Sequence, residues 1–373
     1  MNFEYTKEQL KLKKDVADFA KVEAAKPQRE YEEEEGIYQE DLFLSMGKRC
    51  WTGPIVPIEY GGMGKGAMEY SIIIEELTKE GLISPQTNVQ AEKSILVAGT
   101  DEQKKRYLPR LANGEFTSAQ AISEPNAGSS FKNLETAAIK DGEYYVIRGH
   151  KKHINLAKEA GVFILLTKTE SGLTEFLIDK DTDGVKFVKA DAMAGRTAPM
   201  YDIYIDCRVP KTQILGREGG ALDIFLQTFN LSRIGNASQF IGIGRGCLDL
   251  AVKYARERVV GSRHVTDFQG IKWIIAELYA NLEAASLARN RAAWMEDNGI
   301  EHILETAVAK YLAGEIAEKI ATKCFSLVGS HACYHGTMYE RFLLGVKAMQ
   351  VGGGTSEIML NNIASQALML EGF

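Results

Sequence analysis

The stretch "ALDIFLQTFNLSRIGNASQFIGIGRGCLDLAVKYARERV", residues 221–259, decides the fold. Its apolar residues recur at the three- and four-residue spacing of an amphipathic helix, and no proline interrupts them. Stretches of the same character follow at 267–299, 302–331 and 356–373. Long helices rich in Leu, Ile and Ala predict a four-helix bundle, and their broad apolar faces favour assembly into a homo-oligomer.

The chain before this bundle divides into a helical part and a β part. The first part opens with a capping box, Thr6 with Gln9, and continues with amphipathic helices. From residue 116 the chain has short β-rich runs, with a turn at Asp141-Gly142 between two of them. We therefore predict an α+β protein with an N-terminal helical domain, a middle antiparallel β domain and a C-terminal helical bundle, over residues 1–115, 116–216 and 217–373.

Composition excludes several classes of protein. The formal net charge of -6 argues against a nucleic-acid partner or an anionic membrane surface. No apolar run is long enough to span a membrane, and the N-terminus lacks the apolar core of a secretory signal. The five cysteines are scattered and never form a C-x-x-C pair, which favours reduced thiols and a cytoplasmic location. His331, Cys333 and His335 lie close together but lack further ligands for zinc, so we expect no metal site.

Six segments, in order along the whole chain, resemble the acyl-CoA dehydrogenase family. They are "PIEYGGMG" (57–64), "GTDEQKKRYLPRLANGE" (99–115), "AISEPNAGSS" (121–130), "CRVPKTQILG" (207–216), "ARERVVGSRHVTDFQGIK" (255–272) and "GGGTSEI" (352–358). The resemblance implies an FAD-dependent CH–CH oxidoreductase that acts on a CoA thioester and exchanges electrons with an electron-transfer flavoprotein. One base removes the α proton while the β hydrogen leaves as hydride.

The resemblance also implies cofactor-binding residues. Those within one subunit are Ile122 and Ser123 at the flavin edge, Ser129 near phosphates, His153 and Asn155 in the loop covering the flavin, and Thr355 with Glu357 at a helix start. Taken without the neighbouring motifs, "ISEP" and "AGSS" are also typical of a β-turn. His153 and Asn155 replace the family's usual Trp-x-Thr or Trp-x-Ser, so the flavin would be shielded over a smaller area.

Four further residues are implied in contacts with the substrate or with a second subunit. Arg258 and Gln269 match residues that reach the FAD of a neighbouring subunit, which predicts a homotetramer. An arginine fork suits phosphate oxygens, although a lone helical arginine is usually solvated. Asn230 matches a position that binds the pantetheine, and Arg233 matches an arginine that lies near the pantetheine or is buried at the centre of the bundle. Asparagine in place of the usual aspartate keeps an acceptor and loses the charge.

The family's catalytic glutamate is missing. In the usual final motif this glutamate precedes Gly-Thr-Ser, and here its position holds Gly353. Some relatives place the base just before the arginine of "L-x-R", and here that position holds Ser232. The backbone N–H of Gly353 would still donate to the thioester carbonyl, so the carbonyl can be polarised although α-proton removal is lost.

Three explanations remain open at this point. In the first explanation, the base has moved to Glu92, on the helix that borders the acyl pocket. Glu92 would then drive a 1,4-elimination on an unsaturated or alicyclic acyl-CoA, in a reaction similar to that of cyclohexene-carboxyl-CoA dehydrogenases. The competing interpretation of Glu92 is structural: it forms an ion pair with Lys93 on a solvated helix face and has no catalytic role. Alternatively the chemistry differs, as in desulfinating or monooxygenating relatives. The third explanation is a non-catalytic acyl-CoA-binding subunit of a hetero-oligomer.

Overall fold

The structure is a computed structural model that describes residues 4–369, so the last residues of the predicted 356–373 helix lie outside it. Its elements follow the predicted order of helices, sheet and helices. The first layer contains α1 (Lys7–Ala24), α2 (Pro27–Glu35), α3 (Glu40–Gly47), α4 (Ala67–Lys79), α5 (Gln86–Ala98) and α6 (Asp101–Ala112). The capping box at α1 is confirmed, because the Gln9 N–H donates to Thr6 Oγ1 at 3.2 Å and the Thr6 N–H to Gln9 Oε1 at 3.0 Å.

The middle layer is one sheet of eight strands. They are β1 (Thr117–Ala121), β2 (Ala137–Asp141), β3 (Tyr144–Asn155), β4 (Ala160–Thr169), β5 (Gly172–Asp179), β6 (Val185–Lys189), β7 (Met200–Pro210) and β8 (Ile214–Leu215). Their order is β6-β7-β3-β2-β4-β5-β8, with β1 paired to β4. The predicted hairpin is confirmed between β2 and β3, where Gly142 has φ +63°.

The sheet is not antiparallel throughout. Strands β1 and β2 both pair with β4 in parallel, β1 near the start of β4 and β2 at its end. Because β5 occupies the other edge of β4, the two strands run one after the other along the same edge. Residues 122–136, which connect β1 to β2, lie outside the sheet, and the chain runs in the same direction before and after them. This excursion, which contains "ISEP", is therefore held at both ends by β4.

The C-terminal layer is a helical bundle whose fourth helix is interrupted by a turn. It consists of α7 (Ala221–Glu257), α8 (Gln269–Asp297), α9 (Ile303–Val328), α10 (Met338–Val351) and α11 (Ser356–Ala367). A hairpin of β9 (Val259–Val260) and β10 (Arg263–His264) joins α7 to α8. Both α10 and α11 pack on α9, and three glycines separate them. None of the helices between residues 4 and 369 combines the length and apolarity needed to cross a bilayer.

A buried carboxylate connects the first helical layer to the bundle. Glu75 of α4 is 1% exposed and accepts hydrogen bonds from Arg289 Nη2 at 2.6 Å, Arg245 Nε at 2.8 Å and Lys13 Nζ at 3.3 Å. Burial alone would raise the pKa of Glu75, but the charges of these three cations lower it to about 2. The network joins α1, α4, α7 and α8.

We expect Glu75→Gln to lower the free energy of unfolding at pH 7 by about 3–5 kcal/mol, because it leaves Arg289 buried without a counter-charge. The ionised carboxylate stabilises the fold above its ordinary pKa of 4.5, and this contribution is lost as the pH falls toward about 2. The difference from the wild type should therefore shrink in that range, which urea unfolding at several pH values measures. Glu170→Gln, on the exposed β4–β5 turn, is the control. A difference that does not change with pH would contradict the electrostatic cause.

Candidate active site

The candidate site surrounds the break between α10 and α11. Gly353 and Gly354 have φ of +63° and +95°, in the left-handed region that glycine adopts without strain. Thr355 follows as the N-cap of α11, and its Oγ1 accepts the Ile358 N–H at 3.4 Å. Glu357 lies exposed in the first turn of α11. The glycines therefore shape the turn, as the sequence predicts, and the cofactor contacts of Thr355 and Glu357 stay predictions.

A buried lysine holds this turn. Lys310 of α9 is 3% exposed, and its Nζ donates to the carbonyl oxygens of Gly352, at 2.7 Å, and Gly354. Burial, together with the charge of Arg233, lowers the pKa of Lys310 to about 7. No motif in the sequence predicted a role for Lys310. Its signal is a lysine on the small-residue face of an apolar helix, "TAVAKYLAG".

The face of α7 that meets the turn is polar but contains no carboxylate. Ser232 Oγ donates to Gln90 Oε1 at 3.3 Å, and the Ser232 carbonyl accepts Gln86 Nε2 at 3.3 Å. One turn later, Asn236 is 7% exposed, and its buried Oδ1 has no hydrogen-bond partner. A Cβ on Gly353 would lie 2.5 Å from that oxygen. The carboxamide of Asn236 therefore occupies the space next to the position where the family has its glutamate.

Arg233 lies between this face and a row of three phenylalanine rings that contact one another. Its Nη1 donates to Asn230 Oδ1 at 3.4 Å, and its guanidinium lies 5.5 Å from the Phe229 ring centroid. Phe229 contacts Phe225 edge to face at 5.1 Å, and Phe225 stacks on Phe131 of the 122–136 excursion at 5.5 Å. The Nε of Arg233 is buried without a partner, and burial lowers the pKa of its guanidinium. The two predicted substrate-binding residues are thus neighbours, and Arg233 is close enough to Lys310 for its charge to lower the pKa of that lysine.

The sheet contributes a second part of the site, at the end of β1 next to β3; this part is called the edge of the site below. After β1, the Ser123 carbonyl accepts the Lys152 N–H at 2.8 Å, and the Ile122 carbonyl accepts Lys151 Nζ at 3.0 Å. Lys151 also forms a buried ion pair with Glu124 at 2.8 Å. Burial alone would raise the pKa of Glu124, but donated hydrogen bonds lower it, so the carboxylate is ionised. This pair fixes Ile122 and Ser123 against β3.

A strained bulge in β3 lies next to this edge. His153 and Leu156 have φ of +62° and +59°, a conformation that costs a non-glycine residue about 1–2 kcal/mol. The side chain of His153 is exposed, and Asn155 Nδ2 donates to the Ala198 carbonyl at 3.2 Å. On the neighbouring strand β1, the buried Nε2 of Gln120 has no partner. Backbone strain and unpaired buried donors each occur often at ligand-binding sites, and here they belong to two strands that pack together.

Three predicted residues are exposed on the surface of the single chain. Ser129 lies in the 122–136 excursion, Arg258 caps the end of α7, and Gln269 begins α8. Arg258 and Gln269 flank the hairpin at one end of the bundle, where a second copy can reach them, and their cross-subunit role stays a prediction. Between residues 4 and 369 no group of three or more His, Cys, Asp or Glu side chains is arranged to hold a metal ion.

Glu92 is sealed inside the first helical layer. It is 0% exposed, neither carboxyl oxygen has a hydrogen-bond partner, and burial raises its pKa well above the usual value. Its neighbour is the buried and equally unpaired hydroxyl of Tyr70. The suggested pairing with Lys93 on a solvated face is wrong, because Lys93 pairs with Glu296 at 2.8 Å.

The orientation of α5 separates Glu92 from the turn. Gln86 and Gln90, one turn apart, contact Ser232. Two residues along an α-helix correspond to a rotation of about 200° around its axis. Glu92 therefore lies on the opposite side of α5 from Gln90. The structure therefore does not bring Glu92 next to Gly353 or Ser232, and its role as a base stays a prediction.

Three family models match the chain. They are "Acyl-CoA dehydrogenase, N-terminal domain" over residues 6–115, "Acyl-CoA dehydrogenase, middle domain" over 119–207 and "Acyl-CoA dehydrogenase, C-terminal domain" over 220–368. Acryloyl-CoA reductase (NADH) of Anaerotignum propionicum is 34% identical over 99% of this chain and 96% of its own length. Caffeyl-CoA reductase-Etf complex subunit CarC of Acetobacterium woodii is 31% identical over 98% and 99%. Butyryl-CoA dehydrogenase from Megasphaera elsdenii superposes with a TM-score of 0.94 at 27% identity over 99% and 100%.

We expect Gly353→Ala to destabilise the protein by about 1–2 kcal/mol through its left-handed φ, and further through the overlap with Asn236. Gly142→Ala is a matched control, because Gly142 has the same φ of +63° and nothing within 4 Å of its virtual Cβ. In an Asn236→Ala background, Gly353→Ala should cost no more than Gly142→Ala does. A double-mutant cycle on the free energy of unfolding measures the coupling. Equal costs for both glycines in the wild-type background would contradict the overlap.

Proposed function

Because this chain belongs to the acyl-CoA dehydrogenase family, we propose that it is an FAD-dependent oxidoreductase acting on an unsaturated or alicyclic acyl-CoA thioester. All three family models match in order, and the matched residues span nearly the whole chain. The relatives whose names specify acryloyl-CoA and caffeyl-CoA reductases support an unsaturated acyl group. The observation that carries the proposal is that carboxamides stand at both usual positions of the base: Asn236 lies nearest to a Cβ placed on Gly353, and Gln90 and Gln86 are hydrogen-bonded to Ser232.

The edge formed by β1 and the β3 bulge fits a flavin. The Ile122–Ser123 backbone is fixed by the Lys151–Glu124 pair, and the buried Nε2 of Gln120 needs an acceptor that a ligand can provide. His153, in its left-handed bulge, would cover one face of the ring system. FAD bound here would supply the hydride chemistry at the β carbon of the acyl group.

The turn retains the means to polarise a thioester carbonyl. Lys310 fixes the carbonyls on both sides of Gly353, so the Gly353 N–H is held in one orientation. A donor that is preorganised in this way stabilises the negative charge that develops on the thioester oxygen. We therefore assign carbonyl binding to the Gly353 N–H, with Asn230 and Arg233 positioned along the thioester arm.

The names of the relatives that reduce unsaturated acyl-CoA thioesters favour the reductive direction, and the missing carboxylate leaves proton transfer to a weaker group in either direction. Oxidation of a saturated thioester needs a group that is basic at neutral pH and lies next to the α proton. Reduction instead needs a proton donor for the enolate, and a neutral hydroxyl such as that of Ser232, or water, is sufficient. Ser232 is hydrogen-bonded to Gln90 and is thereby oriented on the face that meets the turn.

A second candidate mechanism keeps Glu92 as the relocated base of a 1,4-elimination on an alicyclic ring. One observation favours a functional role: Glu92 is fully buried with no partner for either oxygen, and such groups cluster at functional sites. Burial without a partner raises the pKa of Glu92 well above its usual value, which suits proton donation better than proton removal.

We also propose a homotetramer with an electron-transfer flavoprotein as its redox partner. Helix α8 exposes a row of large apolar side chains that suit burial against a second copy, namely Trp273, Tyr279, Leu287 and Trp294. Arg258 and Gln269 lie at the end of the same bundle. The relative named as a subunit of a caffeyl-CoA reductase-Etf complex supports the redox partner. All five cysteines are unpaired, which fits a reducing, cytoplasmic compartment.

We expect unsaturated thioesters to reoxidise the reduced flavin, and saturated linear thioesters to bleach the oxidised flavin at least about 100-fold more slowly, the typical contribution of an acid–base group. Anaerobic stopped-flow absorbance with crotonyl-CoA, cinnamoyl-CoA, cyclohex-1-ene-1-carboxyl-CoA and butyryl-CoA measures both directions. Fast bleaching by butyryl-CoA would contradict the proposal, and so would a purified protein that remains colourless with added FAD.

Glu92→Gln distinguishes the two mechanisms. The variant replaces the buried carboxyl with an amide of the same shape, so turnover with unsaturated thioesters should stay unchanged if Glu92 takes no part in proton transfer. If Glu92 is the base, turnover should fall about 10²–10⁴-fold. Glu175→Gln is the control, because Glu175 is also a buried carboxyl, in strand β5, and burial raises its pKa to about 8.

A further inference from the structure

A cavity of about 500 Å³ lies where the first helical layer meets the bundle. Residues from the junction of α1 and α2, the end of α4, the second half of α7 and the first turn of α10 line it. Its volume is within the range of about 300–1,000 Å³ that is typical of ligand-binding sites. Arg341 in its wall and Gly352 at the α10–α11 turn lie about 16 Å apart along the axis of α10, so the cavity is separate from the candidate active site.

Two side chains that line this cavity are buried, and each leaves one polar atom unpaired. Arg29 is 3% exposed, and its two Nη atoms donate to three carboxylates, but its Nε has no acceptor. Gln39 is 2% exposed, and its Oε1 has no donor. A buried polar atom without a partner is costly, so a ligand that pairs with both atoms gains affinity.

Arg341 and Glu80 present charges of opposite sign to the same cavity. Both side chains are half-buried, and neither forms a side-chain hydrogen bond or an ion pair with any residue between 4 and 369. Burial raises the pKa of Glu80, and the nearby charges of Lys79 and Lys21 offset this only in part. The Nε of Arg341 is a further buried donor without an acceptor. By contrast, Lys79 and Asp249 in the same lining pair with each other at 2.7 Å.

The lining as a whole favours neither a simple anion nor a simple cation. Five cationic and four carboxylate side chains line the cavity, so a ligand with a single charge meets groups of its own sign. Part of the wall is apolar and consists of Leu82, Leu250 and Met338, where burial of an alkyl group is favourable. Lys26 and Glu30 at the rim are exposed, so a small molecule can enter from the solvent.

We propose that this cavity is a second binding site, separate from the acyl-CoA site, and that it takes a free α-amino acid with an apolar side chain. Arg341 binds the α-carboxylate, whose two oxygens match the guanidinium fork, and Arg29 Nε provides a further donor. Glu80 binds the α-ammonium group, and Gln39 Oε1 provides a further acceptor. The zwitterion thus pairs with both kinds of unpaired group, which an ion of one charge cannot do.

Binding to the holoprotein tests the proposal, with L-leucine and two probes that each lack one of its charges. The probe 4-methylpentanoate lacks the ammonium group, and 3-methylbutylamine lacks the carboxylate. We expect L-leucine to bind at least about tenfold more tightly than either probe, measured by isothermal titration calorimetry and by the rise of the thermal midpoint. Equal affinities for all three compounds would overturn the inference. No binding of L-leucine at about 10 mM would also overturn it and would mean that water alone fills the cavity.

A competition experiment tests where L-leucine binds. Saturating crotonyl-CoA should change the affinity for L-leucine by less than about twofold, because the cavity and the candidate active site are separate. Displacement of L-leucine by crotonyl-CoA would place the amino acid in the acyl-CoA site and overturn the inference.

Two variants test the two ends of the ligand separately. In Arg341→Gln the advantage of L-leucine over 3-methylbutylamine should disappear, and in Glu80→Gln its advantage over 4-methylpentanoate should disappear. Neither substitution breaks an ion pair within the described chain, so both variants should fold. Arg256→Gln, on the exposed face of α7 and outside the cavity, is the matched control. An affinity for L-leucine that stays unchanged in both variants would overturn the inference.

Discussion

Two hydrogen bonds from one buried ammonium group hold the break between α10 and α11. The last carbonyls of a helix have no partner within it, and at α10 the ammonium of Lys310 binds the Gly352 carbonyl. It also binds the Gly354 carbonyl, so the turn is fixed on both sides of Gly353. The direction of α11, the orientation of the Gly353 N–H and the approach of α7 all depend on this contact. The cost is a buried charge, which other groups at the site must compensate.

Two buried carboxylates elsewhere in the described chain follow the rule that a buried charge is paired. Glu75 connects four helices through three cations, and Glu124 fixes the start of the 122–136 excursion through Lys151. These networks make the scaffold rigid around a site that breaks the same rule. Real proteins violate local physical rules mainly where they bind a ligand or carry out chemistry. The strained His153 and the unpaired Gln120 are further violations of this kind, located at the sheet edge.

Local physics made the order of the elements predictable. The capping box at Thr6 and the Asp141-Gly142 turn depend on neighbouring residues, so the sequence is sufficient to predict them. The parallel pairing of β1 with β4 and the contact between Gly353 and Asn236 join distant parts of the chain, and no local pattern indicates them. The position of Glu92 could not be predicted for a related reason, because the packing of α5 decides which face of the helix meets α7.

The overlap between Gly353 and Asn236 also constrains how the site can evolve. A glutamate at position 353 would need a left-handed backbone and would meet the Asn236 carboxamide, so this single substitution is unfavourable unless position 236 changes as well. The effect of any side chain at 353 therefore depends on the residue at 236. The two positions are epistatic, and the family's glutamate fits at 353 only together with a change at 236.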